Sequence, residues 1–204
     1  MTTVEKLPLI TLADGVPGPR QGEWTYQDYK AIPDDGKRYE IVNGVLLFMP
    51  SPTRSHQKIV GEIFSYLRTH VQLAGLGEVY MSPFDVELEP RTVFQPDVLV
   101  VLNAELGKVT EGGVIGGPSL VVEIASPSTG PYDRLTKYPE YARAGVPEYW
   151  IVKPEQRTVE LLFLQRGDYR SLGIFYGQDT LPSRVIPGLP VRVEQFFATL
   201  KPKP

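Results

Sequence analysis

Apolar and polar positions change period several times along this chain, and each change marks an element. Over residues 56–74 the apolar positions Ile59, Val60, Ile63, Phe64, Leu67 and Val71 recur at the spacing of one buried helical face, and Gly75 follows as a stop. Upstream, RYEIVNGVLLFM reads as two strands joined at Asn43-Gly44, a pair suited to the positive φ angles of a type I′ turn. A shorter helix is predicted from Trp24 to about Ile32, with Thr25 as its cap and Asp28 at the capping-box position. Residues 1–23, rich in Pro and Gly and without period, read as an extended N-terminal arm, and 24–204 as one domain.

Beyond Gly75, residues 78–89 alternate in part, with Val86 and Leu88 on one side and Asp85, Glu87 and Glu89 on the other, as in one half-exposed strand. PRTVFQP reads as a turn into the apolar run 98–102, and a Gly-rich connection over 103–118 leads to a second run at 120–125. SPSTGPYD opens a helical stretch over 133–144, which Pro139 should kink or restart, and Gly145-Val146-Pro147 stops it. Two strands at 148–152 and 158–164 flank a KPEQR turn; weaker strand signals follow at 169–176 and 185–193, then a terminal helix at 194–200. This order predicts an α/β (α+β) domain with a mixed β-sheet flanked by helices.

Composition narrows the chemistry. The chain has no cysteine, which excludes disulfides, thiolate metal sites and a thiol nucleophile and fits a reducing cytoplasm. No run approaches the ~20 apolar residues of a membrane span, so a cytoplasmic protein without a membrane partner is expected. The net charge of −3 gives no global basic field, so any phosphate binding needs a local cluster of Lys and Arg. GVIGGPS and SPSTG lack the lysine of a phosphate-binding loop, which argues against nucleotide hydrolysis of that kind.

Two acids stand out because each sits at the end of a strand that should be sunk in the core. Asp97 opens the run in FQPDVLVV, and Glu123 closes the one in SLVVEIASPSTG. If these strands are antiparallel neighbours, the start of one meets the end of the other and the carboxylates share one sheet edge. The same logic brings Asp85, Glu87 or Glu89 into range. Crowded acids repel unless a proton or cation lies between them. Oxygen ligands without cysteine favour Mg²⁺ or Mn²⁺ over zinc, and such an ion can activate water against a phosphodiester. The plainer alternative is that Asp97 caps a turn while Glu123 pairs with Arg134 or Lys137.

The acid after proline, and then the acid within a second apolar strand, resemble the PD-(D/E)XK nuclease superfamily. More narrowly, RYEIVNGVLLFMPSPTRSHQ, VFQPDVLVV, LVVEIASPSTGPYDRLTKYPEYARAGVPEYWIV and RTVEL resemble, in order, the Uma-type restriction-endonuclease-like proteins of bacteria. The resemblance implies a restriction-endonuclease-like fold, Mg²⁺-dependent cleavage of DNA and pairing of the chain with itself as a homodimer. Carried over by position, Asp97 and Glu123 would be metal ligands, with the main-chain carbonyl of Ile124 a further one and Glu40 an acid approaching the metal. The superfamily's lysine would fall at Ala125, and a methyl group cannot replace it; Lys137, in the family's D-x-x-x-K pattern, is the substitute. Its alternative role is an ion pair with Asp133, worth only ~0.3–0.5 kcal/mol on a helix surface.

His56 could contact a phosphate or tune Glu40, or merely sit at a helix start; His70 and Gln57 read as structural. Tyr132, Tyr138, Tyr141, Tyr149 and Trp150 are spaced as core residues, although base stacking would use the same groups. Arg54, Lys58, Arg134, Lys137 and Arg143 would form a local basic rim. Two rival functions remain at this level: a nuclease-fold module that binds nucleic acid or a partner without catalysis, and a metal-free glycoside hydrolase using the paired acids.

Overall fold

Thr25 closes a capping box with Asp28, and the asparagine and glycine of the hairpin turn hold φ angles of 50° and 80°, so both local signals produce the structures they encode. The computed structural model describes residues 10–126 and 130–200. In chain order the elements are β1 (Thr11–Leu12), α1 (Tyr26–Lys30), β2 (Arg38–Val42), β3 (Val45–Met49), α2 (Arg54–Leu67), β4 (Gly77–Met81) and β5 (Asp85–Glu89). There follow β6 (Thr92–Phe94), β7 (Val98–Leu102), β8 (Val109–Thr110), β9 (Gly113–Ile115) and β10 (Leu120–Ile124). The chain ends with α3 (Gly130–Tyr132), α4 (Tyr138–Arg143), β11 (Glu148–Lys153), β12 (Thr158–Gln165) and β13 (Asp168–Tyr176).

The strands form two mixed sheets flanked by helices. One has the order β1-β3-β2-β6-β5-β9-β8 and the other β13-β12-β11-β10-β7-β4. In the second sheet β10 runs antiparallel to β7 and parallel to β11, with the α3–α4 segment as the crossover. One face of this sheet, through Val98, Val100, Leu120, Val122 and Trp150, packs on Ile59, Ile63 and Leu67 of α2 and on Phe196 and Phe197 of the C-terminal 3₁₀ turn. Each such buried side chain contributes roughly 1.5–3 kcal/mol. The opposite face, through Leu99, Val101, Val121, Tyr149 and Ile151, packs on Tyr141 and Ala142 of α4 and on Val86, Phe94 and Val114 of the first sheet.

Several elements depart from their local signals. Residues 78–89 are two strands in different sheets, separated at the cis Ser82-Pro83 bond. Residues 92–94 are a fully buried strand between β2 and β5, where the sequence suggested a turn, because the sheet needs a partner there for both ladders. The Gly-rich connection carries a 3₁₀ turn and the short strands β8 and β9. The segment 185–193 holds no strand; Thr180 and Arg192 form an isolated bridge, and Ile186, Leu189 and Val191 anchor singly in the core. Pro187 and Pro190 remove two ladder donors there. Residues 11–12 of the N-terminal segment pair with β3, and Gln21 exchanges hydrogen bonds with Leu46. The opening of the second helical stretch at Pro127, Ser128 and Thr129 lies outside the described residues, as do residues 1–9.

The C-terminal segment is held by one buried acid. Glu148 is fully buried and accepts hydrogen bonds from Trp150 Nε1 at 2.7 Å and from the main-chain N–H groups of Arg184 at 2.7 Å and Val185 at 3.3 Å. Replacing Glu148 by Ala strands three donors, so urea denaturation of Glu148→Ala should show a loss of about 3 kcal/mol. The exposed control Glu111→Ala should stay within about 0.5 kcal/mol of the parent.

Candidate active site

The register of β7 and β10 decides where the two strand-end acids go. Val122 stands opposite Val98, so the next step of the same ladder sets Glu123 opposite Asp97. Parity then fixes the face. Asp97 shares its side of β7 with Leu99 and Val101, and Glu123 shares its side of β10 with Val121, all packed toward α4 and the first sheet. Both carboxylates are therefore buried on one face at one edge, 7 % and 3 % exposed.

A third acid and a lysine arrive from elsewhere. Glu40 comes from β2 in the other sheet, where Tyr39, Glu40 and Ile41 are all buried. Lys137 comes from a π-helical turn, Asp133–Lys137, placed just before Pro139. Proline cannot donate to the carbonyl of Leu135, and the turn is widened so that Tyr138 N–H reaches back to Asp133. The Lys137 ammonium lies 3.0 Å from Oε1 of Glu40 and 2.8 Å from Oε1 of Glu123. It also sits 5.4 Å from the ring centre of Phe94 and 5.6 Å from that of Tyr132. The tyrosines of the second helical stretch complete the cluster: Tyr132 donates to Oε2 of Glu40 at 2.9 Å and Tyr141 to Oε1 of Glu123 at 2.7 Å.

The electrostatics follow from burial. Desolvation works against the ammonium of Lys137, but Glu123, Glu40 and Asp133 more than reverse it and hold the lysine above its ordinary value. Burial pushes Glu123 up to about 8, with Asp97, Asp133 and Glu40 adding to the rise and Lys137 opposing it. Burial, and then the charges of Glu40 and Glu123 respectively, raise the phenols of Tyr132 and Tyr141, which stay protonated as donors.

Asp97 is fixed by two groups on its Oδ2: the main-chain N–H of Ile124 at 2.7 Å and His56 Nε2 at 3.0 Å. The other ring nitrogen of His56, Nδ1, is buried without a partner among the described residues. Ala125 N–H bonds to Val152 in β11, so the N–H and C=O of Ile124 turn the other way, toward the gap that opens where β7 ends. Glu40, His56, Asp97, Glu123, Ile124 and Lys137 line a cavity of about 490 Å³.

Four buried carboxylates, Glu40, Asp97, Glu123 and Asp133, thus share the cavity wall with one buried ammonium, Lys137. No group of three or more His, Cys, Asp or Glu side chains among the described residues is arranged to hold a metal ion. What the edge does present is two carboxylates and a main-chain carbonyl, and Mg²⁺ characteristically takes one or two carboxylates and keeps several waters. Two carboxylates at one sheet edge and an orphaned buried nitrogen, His56 Nδ1, fit a cation with its waters. Glu40 has three partners: Lys137 and the N–H of Gln95 engage Oε1, and Tyr132 engages Oε2.

Other expected groups lie apart. Asp85 accepts from Tyr26, Tyr29 and Gln95, and neither it nor Glu87 nor Glu89 lines the cavity; they belong to the other sheet from Asp97 and Glu123. Arg134 pairs with Glu160 and Arg143 with Glu140, away from the cavity, while Arg54 and Lys58 line it. Lys137 is a buried partner of Glu40 and Glu123, not part of a basic rim. Sequence reasoning missed Gln95, Tyr132 and Tyr141 as site residues and Arg38 as a cavity cation; only the period-two pairing of Arg38 with Glu40 on β2 carried a signal.

A family model for Uma2, described as "Putative restriction endonuclease", matches residues 26–194. The chain belongs to the Uma2 family. Among solved structures, "a putative nuclease belonging to DUF820" from Anabaena variabilis superposes with a TM-score of 0.69 at 17 % identity, covering 86 % of this chain and 98 % of that one. The two share a fold, the nuclease-like arrangement of mixed sheets and helices expected from the sequence. No curated protein matches the sequence. Among the described residues of this Uma2 chain no helix is long and apolar enough to cross a membrane.

Removing the lysine tests the electrostatic account. Lys137→Met leaves Glu40 and Glu123 buried without their counter-charge, and urea denaturation at neutral pH should show a loss of about 3–5 kcal/mol. Glu123, already raised by burial, then loses the charge that opposes the rise, so the native state binds more protons than the unfolded chain and the deficit shrinks as the pH falls.

Proposed function

We infer that this chain is a divalent-metal-dependent endonuclease that hydrolyses DNA phosphodiester bonds. The observation that carries this reading is the placement of Asp97 and Glu123 one step beyond the Val98–Val122 pair of β7 and β10, with the Lys137 ammonium 2.8 Å from Glu123. Membership of a family described as "Putative restriction endonuclease" supports a nuclease over the glycosidase reading, and Lys137 at the acid pair stands in for the lysine missing at Ala125.

Asp97, Glu123 and the main-chain carbonyl of Ile124 would hold Mg²⁺ or Mn²⁺. When bound, that ion supplies a lowered water pKa and Lewis-acid stabilisation of phosphate charge. The chain's own residues do the rest. The N–H of Ile124 and His56 lock Asp97 in place. Water attacks phosphorus in line with the leaving oxygen; one P–O bond forms as the other breaks, the attacking water gives up a proton to solvent, the departing oxygen takes one from solvent, and negative charge grows on the non-bridging oxygens. Lys137, already ionised and aimed by Glu40 and Glu123, meets that charge without reorganising. Glu40 is therefore assigned to holding the lysine, with Tyr132 steadying its second oxygen. Cutting both strands of a duplex requires two such sites, so the active form is assigned as a pair of chains.

Supercoiled plasmid incubated with the protein and Mg²⁺ or Mn²⁺ should be nicked, and a chelator should abolish nicking. Asp97→Ala and Glu123→Ala should each lower the rate by at least ~100-fold, and Lys137→Ala by ~100-fold. In calorimetry, Mg²⁺ binding should vanish in Asp97→Ala and persist in Glu40→Gln. Wild-type protein that never nicks, or Asp97→Ala protein that nicks as well as the parent, overturns the reading.

A further inference from the structure

The strand that delivers Glu40 to the acid cluster also delivers Arg38, two residues earlier and so on the same face of β2. Arg38 is half-buried in the cavity wall. Its guanidinium has one partner among the described residues, the Oε1 of Gln95, which accepts from Nε at 3.2 Å. Among the described residues both Nη groups are left uncommitted, in a cavity whose wall also carries five carboxylates.

The Gln95 amide is not free to turn. Its Nε2 donates to Oδ1 of Asp85 at 2.9 Å and to the hydroxyl of Tyr29 at 3.1 Å. A flipped amide would set a donor against Arg38 and an acceptor against Asp85. Asp85 is itself held by the hydroxyl of Tyr26 at 3.1 Å, so helix α1, strand β5 and the approach to β7 converge on the orientation of one guanidinium. The anchor is carboxylate-backed, yet the positive charge is not neutralised. The remaining cations of the cavity wall differ: Lys137 is committed to Glu40 and Glu123, Lys58 donates to the carbonyl of Thr199, and Arg54 and Arg157 are exposed.

We propose that Arg38 contacts substrate: it grips a backbone phosphate of the nucleic acid one or two nucleotides from the bond that is cut. The proposal rests on the endonuclease reading above. A guanidinium presents a planar fork that matches phosphate bidentately, and here its Nε is pinned while the fork remains available. Along β2, Arg38 stands ~7 Å from Glu40. Phosphates of one strand advance ~3.4 Å each along a duplex axis, so that offset corresponds to one or two steps. Contacts of this kind set the register of the strand on the protein without reading bases.

The test is binding of a fluorescent DNA duplex, by anisotropy over a range of KCl concentrations, to the full chain carrying Asp97→Asn, with and without Arg38→Gln. Arg38→Gln should weaken binding about tenfold and reduce the slope of log K against log[salt] by ~0.9, the value for one phosphate contact. Arg38→Lys should keep the slope while losing severalfold in affinity, and circular dichroism should show all variants folded. In the cleavage-competent chain, Arg38→Gln should raise KM for the duplex about tenfold. If the wild type cuts and the Asp97→Asn parent binds, but Arg38→Gln leaves affinity and slope unchanged, this proposal fails and the endonuclease reading stands. The same holds if Arg38→Gln does not fold and Arg38→Lys binds like the parent. If the wild type does not cut and the parent does not bind, both fail.

Discussion

A single buried ammonium joins the two halves of this protein. Lys137 reaches from the π turn to Glu40 of one sheet and Glu123 of the other, so that three separately built parts meet at one charge. Buried carboxylates on their own would carry a desolvation penalty of several kcal/mol each, and a single lysine between two of them offsets part of it only with good geometry and extra donors. Tyr132, Tyr141 and the Gln95 N–H are those donors. The cluster is satisfied pair by pair: Oε1 of Glu40 meets the Gln95 N–H as well as Lys137, and Oε1 of Glu123 meets the Tyr141 hydroxyl as well as Lys137.

How the lysine gets there explains its absence from the place the superfamily pattern expects. A side chain at Ala125 would enter along β10 itself. Lys137 enters from the crossover helix, and a regular α-helix interrupted by Pro139 would carry an unsatisfied carbonyl. The π turn takes up that mismatch, and with it Asp133 and Lys137 both end buried against the sheet. Tyrosine suits this surface because it fills the apolar layer between the sheets with its ring and still brings a hydroxyl to a carboxylate. The aromatic cluster is thus core and site at once.

The sheets also sort the acids. Asp97 and Glu123 belong to the six-stranded sheet and reach the cavity through ladder register. Asp85 belongs to the seven-stranded sheet, and its charge is turned to anchoring Gln95. Gln95 gathers charges of the seven-stranded sheet: its N–H holds Glu40, and its side chain joins Arg38 to Asp85. The short span between β6 and β7 connects the sheets and sets the spacing of their charges.

Much of this was legible in the chain, and the reason is that local periodicity reports burial. The capped helix at Thr25, the Asn43-Gly44 hairpin, the apolar face of α2 and the two acid-ended strands all follow from spacing and turn chemistry, which act within a few residues. The likeness to Uma-type proteins marked Asp97, Glu123 and Lys137 in the same way. Tertiary structure decided the rest. Strand β6, flanked by prolines and only three residues long, exists because its neighbours need a partner. The break at Ser82-Pro83 assigns two segments to different sheets, and no alternation pattern can say which. Glu40 meets Lys137, and Gln95 meets Arg38, across separations of 97 and 57 positions, and pairings that distant are set by how layers pack and not by any local preference of the residues involved.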